Sequence, residues 1–541
     1  MTTEPLSFFT VDHGTASTAV SLVAPLEGRF RLLGSAAAPH GVDPDALLED
    51  LVRRVTATEP DALPSPDGWR DWARLESATR QPIGAVCVAA TEHHAQQLER
   101  AVAGAGWEIR GHVASGNADL TALAELCLDP AVSVVALASG EPATPEERAA
   151  MPQLAAFLGA MCSRREDLWA LLSGGAVAWS EAFPGGRTVA APAPLAVPSA
   201  VDTPLRQSAR DLASRLAVLA DTGTPLPDGR TALATAVMTL ARLLDRRVEA
   251  VDIGHSAGSR TLCHPSGMVG HIVSAEAALV PGSAMREDRE VEAILRWNSL
   301  RSDPFTLVDR VRNLRLGPWR DAAGDGARLR MTVVRAALGR LERAWQLPAG
   351  SDGRGSSTAS DMLIACGGAF SALPPPAATM ALVDTLRRPG AMAIFHDHAR
   401  LLAPVGTLPE ESDRRRLLAD LLDDALLPLG SVIVAGELRN TRHPGRLRVT
   451  SALRESEIEL VPGSVRMLDL PPGVPARIEL ETRDGNLLGV RSHHVALELT
   501  GGLGGLLVDT REVPLRLPDR AERRRALVES WERPVWAAAE P

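Results

Sequence analysis

Apolar positions in this chain follow two periods in turn. Over the first 35 residues they form two extended runs, which reads as a strand hairpin. Residues 44–55 then place Leu47, Leu48, Leu51 and Val52 on one helical face. After a Pro-rich stretch at 62–68 the periods alternate: strand at 82–90, helix at 94–105, strand at 107–113, helix at 120–127, strand at 133–138. Such alternation predicts an α/β lobe with a mainly parallel sheet. A helix at 152–162 leads to a strand-like run at 168–178. The Pro/Ala stretch at 190–204 is the clearest break in the first half.

The second half repeats the mixture and then changes character. Helices are expected at 205–219 and 231–244, the latter running into a strand that ends at Asp252. From about 286 to 346 the pattern is helical, with Val333, Val334, Ala337, Leu338 and Leu341 on one face. A Gly/Ser-rich segment at 350–357 reads as a flexible loop. An apolar run, 362–366, leads into Gly367-Gly368. After roughly 431 short alternating strands separated by turns, such as 446–449, 457–461 and 477–481, predict a separate β-rich module.

Composition narrows the chemistry. The 541 residues include 57 basic side chains, and all of them are arginine; tyrosine is absent too. Without lysine there is no P-loop, no pyridoxal Schiff base and no protein-kinase active site. A net charge of -10 with dispersed arginines predicts no nucleic-acid surface. No apolar stretch of ~18 residues predicts a membrane span, and the first residues lack a secretory pattern. Five scattered cysteines read as reduced core residues, so a cytoplasmic location is expected.

Two strand ends carry the candidate chemistry, roughly 240 residues apart. The first is Phe8-Phe9-Thr10-Val11-Asp12-His13-Gly14-Thr15-Ala16-Ser17-Thr18; the second is Val248-Glu249-Ala250-Val251-Asp252-Ile253-Gly254-His255-Ser256. An aspartate at a strand tip can hold Mg2+ through water, and the glycine lets the backbone turn back close to a phosphate. Hydroxyls of Thr15, Ser17, Thr18 and Ser256, with turn N–H groups, can cradle its oxygens. The similar Asp221-Thr222-Gly223-Thr224 follows a helical pattern and reads as a helix-ending turn. Glu141, after the strand at 133–138, is a further carboxylate that could orient an attacking water. His396-Asp397-His398 lacks a third ligand and is a weak metal motif. No Gly-x-Ser-x-Gly elbow is present.

The paired Asp-x-Gly turns resemble the phosphate-binding hairpins of the actin/Hsp70/sugar-kinase superfamily, with Gly367-Gly368 in the place of its adenosine element. The resemblance implies an α/β fold of two ribonuclease-H-like lobes clamping ATP-Mg2+, plus the β-rich C-terminal module. Residues 1–204 would be the first lobe with an inserted α/β subdomain, 205–430 the second with a helical insert, and 431–541 the module. Asp12 and Asp252 would hold the metal and, with Glu141, serve hydrolysis. Gly14, Thr15, Ser17, Thr18, Gly254, Ser256, Gly367 and Gly368 would contact the nucleotide.

From Asp361 onward the chain also resembles the glutamate mutase L family, accessory proteins of cobalamin-dependent mutases. The carrying residues are Met362-Leu363-Ile364-Ala365-Cys366-Gly367-Gly368-Ala369-Phe370-Ser371-Ala372-Leu373-Pro374, Ala381-Leu382-Val383-Asp384-Thr385-Leu386-Arg387-Arg388-Pro389-Gly390, Leu401-Leu402-Ala403-Pro404-Val405-Gly406, Val461-Pro462-Gly463-Ser464-Val465 and Gly501-Gly502-Leu503-Gly504-Gly505-Leu506-Leu507-Val508-Asp509, and the resemblance is colinear over essentially the whole chain. This implies a reactivating ATPase-like chaperone whose partner is such a mutase. The family's second turn reads Asp-x-Gly-Gly-Ala-Thr-Thr-Asp, whereas here His255, Ala257 and Gly258 replace a glycine and both threonines. A non-hydrolysing scaffold of the same fold is therefore the alternative, with a small-molecule kinase a more distant one.

Overall fold

The computed structural model describes residues 7–59, 62–63, 66–114, 119–193, 204–219, 226–281, 287–319, 322–346, 360–436, 438, 445–483 and 487–539. The 350–357 segment and Asp221–Thr224 lie outside them. The chain is mixed α/β, and its described residues build four sheets.

The first sheet contains β1 (Phe8–His13), β2 (Ser17–Leu26), β3 (Arg29–Pro39) and, after α1 (Pro44–Thr58), β4 (Ala73–Ala78). Its order is β3-β2-β1-β4, with only the β1–β4 pair parallel. The opening therefore has three strands where two are expected. The extra reversal is the two-residue turn Glu27-Gly28, both at positive φ, the geometry whose twist matches a hairpin.

The second sheet takes β5 (Gly84–Ala89), α2 (Glu92–Ala103), β6 (Glu108–Ala114), α3 (Leu120–Leu128), β7 (Val132–Ser139), α4 (Pro145–Arg164), β8 (Trp169–Gly174) and β9 (Thr188–Ala191). It is wholly parallel in the order β6-β5-β7-β8-β9, as the alternating pattern predicts. Helix α4 starts seven residues before the expected 152 because Thr144 and Glu147 close a capping box. Helix α5 (Pro204–Leu219) was expected in the second lobe. Its Leu205, Ala209 and Leu212 instead share a core with Ala95 and Leu98 of α2 and Ala85 and Cys87 of β5.

The third sheet follows α6 (Gly229–Leu244). It begins β10 (Val248–Ile253), β11 (Gly258–His264) and β12 (Gly267–Ser274), repeating the antiparallel opening of the first sheet. Helices α7 (Glu287–Trp297), α8 (Pro304–Leu316) and α9 (Asp325–Gln346) precede β13 (Met362–Cys366), α10 (Gly368–Ser371), α11 (Pro375–Thr385) and β14 (Gly390–Asp397). Then come α12 (Leu402–Gly406), α13 (Glu411–Ala425) and β15 (Leu426–Val434). The last part holds β16 (Gly445–Ser451), β17 (Glu455–Leu460), β18 (Val465–Leu468), β19 (Pro475–Glu481), β20 (His494–Thr500), β21 (Leu506–Asp509) and α14 (Ala521–Ala539).

The C-terminal strands do not all form a separate unit. Strands β16, β17, β19 and β20 make their own sheet, but β21 and β18 extend the third sheet, whose order is β12-β11-β10-β13-β14-β15-β21-β18. The expected division at 430/431 thus falls inside β15, which pairs with β14 on one side and β21 on the other.

Strand alternation aims the two aspartates. Phe8 lies in one core and Phe9 and Val11 in another, so Asp12 points with Phe8. Val248 and Ala250 enter that same core, while Val251 and Ile253 enter the opposite one, so Asp252 points with Val248. Phe8, Val23, α6 and α12 share this core between the first and third sheets. Its open end is the cleft described next.

Candidate functional site

The two Asp-x-Gly turns have the same backbone construction. Gly14 N–H donates to Ser17 O at 2.9 Å, and Gly254 N–H donates to Ala257 O at 3.0 Å, each closing a turn two to five residues after the start of its motif. Asp12 is paired across to Ala19 and Asp252 to Ser259. Each also has a parallel neighbour, Ser77 for Asp12 and Cys366 for Asp252. The two turns line one cleft of about 570 Å³.

Of the residues singled out in the sequence, Asp12, Gly14, Thr15, Ser17, Asp252, Gly254, Gly367 and Gly368 line this cleft. Thr18 does not: it alternates with Ser17 and Ala19 along β2 and is buried on the other face. Ser256 is also buried, and its Oγ accepts a hydrogen bond from Arg230 Nη2 at 3.0 Å. Glu141 sits exposed after β7, in the second sheet, and is not among the cleft residues. The acidic group held at that sheet end is Glu147 instead, which accepts from Gly140 N and Thr144 N and contacts His94 Nδ1 at 2.7 Å. Its capping role explains why it turns inward while Glu141 does not.

The cleft also contains charged groups that the motifs did not announce. Asp12 Oδ1 accepts from Ser77 Oγ at 2.9 Å, and Asp12 Oδ2 accepts from Arg400 Nε at 2.7 Å and lies 2.5 Å from Arg400 Nη2 in an ion pair. Arg400 Nη1 donates to Ser17 Oγ at 2.9 Å. Arg400 follows β14 at φ 54, just past Asp397, whose oxygens accept from Leu401 N and Leu402 N at 2.9 and 3.1 Å. The sequence signal for this corner was His396-Asp397-His398. Its acidic member proves to cap a turn, and His396 and His398 contact Ser371 and the Ala425 carbonyl.

Proton affinities follow from these partners. Asp252 is pushed up to about 6, chiefly by desolvation, with Arg230 opposing and Asp12 adding to the rise. Its strand neighbour Cys366 supplies no hydroxyl like that of Ser77, and among the described residues no hydrogen bond to its carboxylate is formed. Asp397 is pushed up to about 7, again by desolvation first, against its two N–H donors. Burial holds His255 below the usual histidine range, with Arg315 acting in the same direction.

A divalent cation does not fit against Asp12 as it stands. Both oxygens of Asp12 and both of Asp397 already accept hydrogen bonds, which leaves Asp252 as the open carboxylate. Among the described residues no group of three His, Cys, Asp or Glu side chains is disposed to hold a metal ion. A side chain at Gly368 would meet nothing within 4 Å, so the start of α10 offers bare backbone to the cleft.

No family model matches the chain, and no curated protein matches it. Solved structures similar to it include a nucleotide-free acetone carboxylase, at 11% identity over 84% of this chain and 80% of that one, TM-score 0.27. Component A of the (R)-2-hydroxyglutaryl-CoA dehydratase of Acidaminococcus fermentans is similar at 8% identity over 74% and 96%, TM-score 0.25. The activator of the 2-hydroxyisocaproyl-CoA dehydratase of Clostridium difficile, with bound ADPNP, is similar at 8% over 78% and 96%, TM-score 0.27. At these scores the architecture rests on this chain's own strand order.

Proposed function

We propose that the cleft is a nucleotide clamp of the actin/Hsp70/sugar-kinase type, and that the chain serves a partner protein as an accessory factor. The observation that carries this reading is the duplicated hairpin. Two Asp-x-Gly turns of one backbone construction, each ending the first strand of a β-meander with a parallel strand beside it, face a common 570 Å³ cleft. In this reading ATP lies between them, with Gly14, Thr15, Ser17 and Gly254 at the phosphates and Gly367-Gly368 under the nucleoside. Clefts of this size commonly take ligands of that bulk. The partner implied by the sequence resemblance is a cobalamin-dependent mutase, and the role is that of a glutamate mutase L-like reactivating chaperone. Nucleotide would act on such a partner only through different affinities for two states of the clamp.

Thermal unfolding with and without ATP tests the clamp. Nucleotide at a hundred times its dissociation constant stabilises a folded protein by ~2.7 kcal/mol. A flat melting temperature at millimolar ATP would sink the reading. The partner is tested separately, by whether added protein and ATP restore turnover to an inactivated cobalamin-dependent mutase.

A second reading, a non-hydrolysing scaffold, is favoured by two features: Glu141 lies away from the cleft and Asp12 is already paired to Arg400. Phosphoryl transfer to water needs a group that positions the nucleophile, and Asp252 is the carboxylate left for it. Phosphate release that disappears in Asp252→Asn, with nucleotide binding kept, would exclude the scaffold; release no higher than background from either protein would favour it.

A further inference from the structure

We infer that the cleft binds its phosphorylated ligand without a divalent cation, the guanidinium of Arg400 standing where a cation would neutralise Asp12. This rests on the nucleotide-clamp reading and specifies how that site handles charge. Arg400 is brought to Asp12 from 388 residues away, across the junction of the first and third sheets. Two of its nitrogens share Asp12 Oδ2, at 2.7 and 2.5 Å, and a third donates to Ser17 Oγ at 2.9 Å. Ser77 takes the other Asp12 oxygen. A planar, permanently charged fork held on a carboxylate in this way is a directional interaction, stronger than a neutral hydrogen bond.

The surroundings are fitted to the guanidinium. A Cβ at position 14 would lie 2.6 Å from Arg400 Nη2, so Gly14 makes room for the arginine. The Arg400 backbone is held at φ 54, a region that disfavours side chains, by its N–H bond to Asp397 O and by the Asp397 cap on the next two residues. Its side chain is 14% exposed and lines the cleft, so it is a fixed wall of the site. Positive charge at the first turn is thus supplied by the chain itself, in a protein that has no lysine to place there.

The test is ATP binding to the full chain by calorimetry, in excess EDTA and in millimolar MgCl2, for the wild type, Arg400→Gln and Arg400→Lys. The expected result is a wild-type dissociation constant that agrees within about three-fold between the two buffers, and no thermal shift from MgCl2 alone. Arg400→Gln should lose about ten-fold or more in EDTA and recover on adding Mg2+, because Asp12 is then open to the cation; Arg400→Lys should stay metal-independent. Tightening of the wild type by about ten-fold or more on adding Mg2+ would overturn the inference and leave the clamp intact. Absence of ATP binding in both buffers would overturn the clamp and the inference together. Should Arg400→Gln fail to fold, the wild-type comparison decides alone.

Discussion

At the scale of single residues the cleft separates neighbours that look alike in sequence. Gly367 sits at φ 87, and a Cβ there would lie 2.2 Å from Asp252 Oδ1 and 2.6 Å from Ile253 O. Gly368 has open space. Gly367→Ala is therefore expected to destabilise by about 2 kcal/mol or more, through backbone strain and displacement of Asp252. Gly368→Ala should leave the melting temperature unchanged while weakening ATP binding, since its methyl group enters the cleft. Equal behaviour of the two variants would refute this assignment. The pair was legible as a strand-ending Gly-Gly; which glycine is structural was not, because that depends on where Asp252 lies.

Asp252 also gives a signed pH dependence. Its carboxyl is pushed up to about 6 in the fold, above the ordinary carboxylate range, so its protonated form is the one the fold favours. Its contribution to stability is full below the ordinary range and is lost as pH rises through about 6. Asp252→Asn removes that loss. Its melting temperature should exceed the wild type's at pH 8, by an amount on the order of 1–3 kcal/mol in stability, and converge with it toward pH 4. A constant difference across that range would contradict the desolvation account.

At the scale of elements, a buried ionic network fastens the C-terminal helix to the third sheet. Asp384 on α11 lies 2.6 Å from Arg335 of α9 and 2.7 Å from Arg511, which also pairs with Asp509 at the end of β21. Glu532 of α14 receives Arg335 and, at 2.7 Å, the hydroxyl of Ser299. Arg511 lies over the Trp531 ring at 4.7 Å. Removing one member leaves the rest charged in a dry interior, which typically costs ~3–5 kcal/mol. Asp384→Ala should approach that cost in chemical denaturation, and a loss below about 1 kcal/mol would show that water replaces the carboxylate. Helix α14 went unread because its first turn, Ala521-Glu522-Arg523-Arg524-Arg525, is polar and Pro534 interrupts it. Its buried Val528, Trp531 and Val535 do keep helical spacing.

At the scale of the molecule, the first and third sheets are joined on the cleft's closed side. They share a core through Phe8, Val23, α6 and α12, and Arg31 pairs with Asp424 at 2.7 Å beside it. The all-parallel second sheet has cores of its own and takes α5 with it. A fragment of residues 80–219 should therefore unfold cooperatively, whereas one ending at 204 should lose cooperativity by exposing the surface that Leu205, Ala209 and Leu212 cover. Equal melting of both fragments would return α5 to the second lobe.

Local physics made much of this legible. Period-two and period-3.6 patterns are set by neighbours in sequence, so the α/β alternation, the two Asp-x-Gly turns and the apolar face of α9 could be read directly. The same periodicity fixes which way Asp12 and Asp252 point once the strands are known. Contacts between distant segments leave no such trace. Arg400 looks like any of the chain's many arginines until β14 carries it to Asp12, and β15 ends in the middle of a sheet only because β21 arrives from far downstream. The sequence alone thus determined the two turns. Tertiary structure decided which groups fill the space between them, because charge pairing and sheet order depend on distance in space.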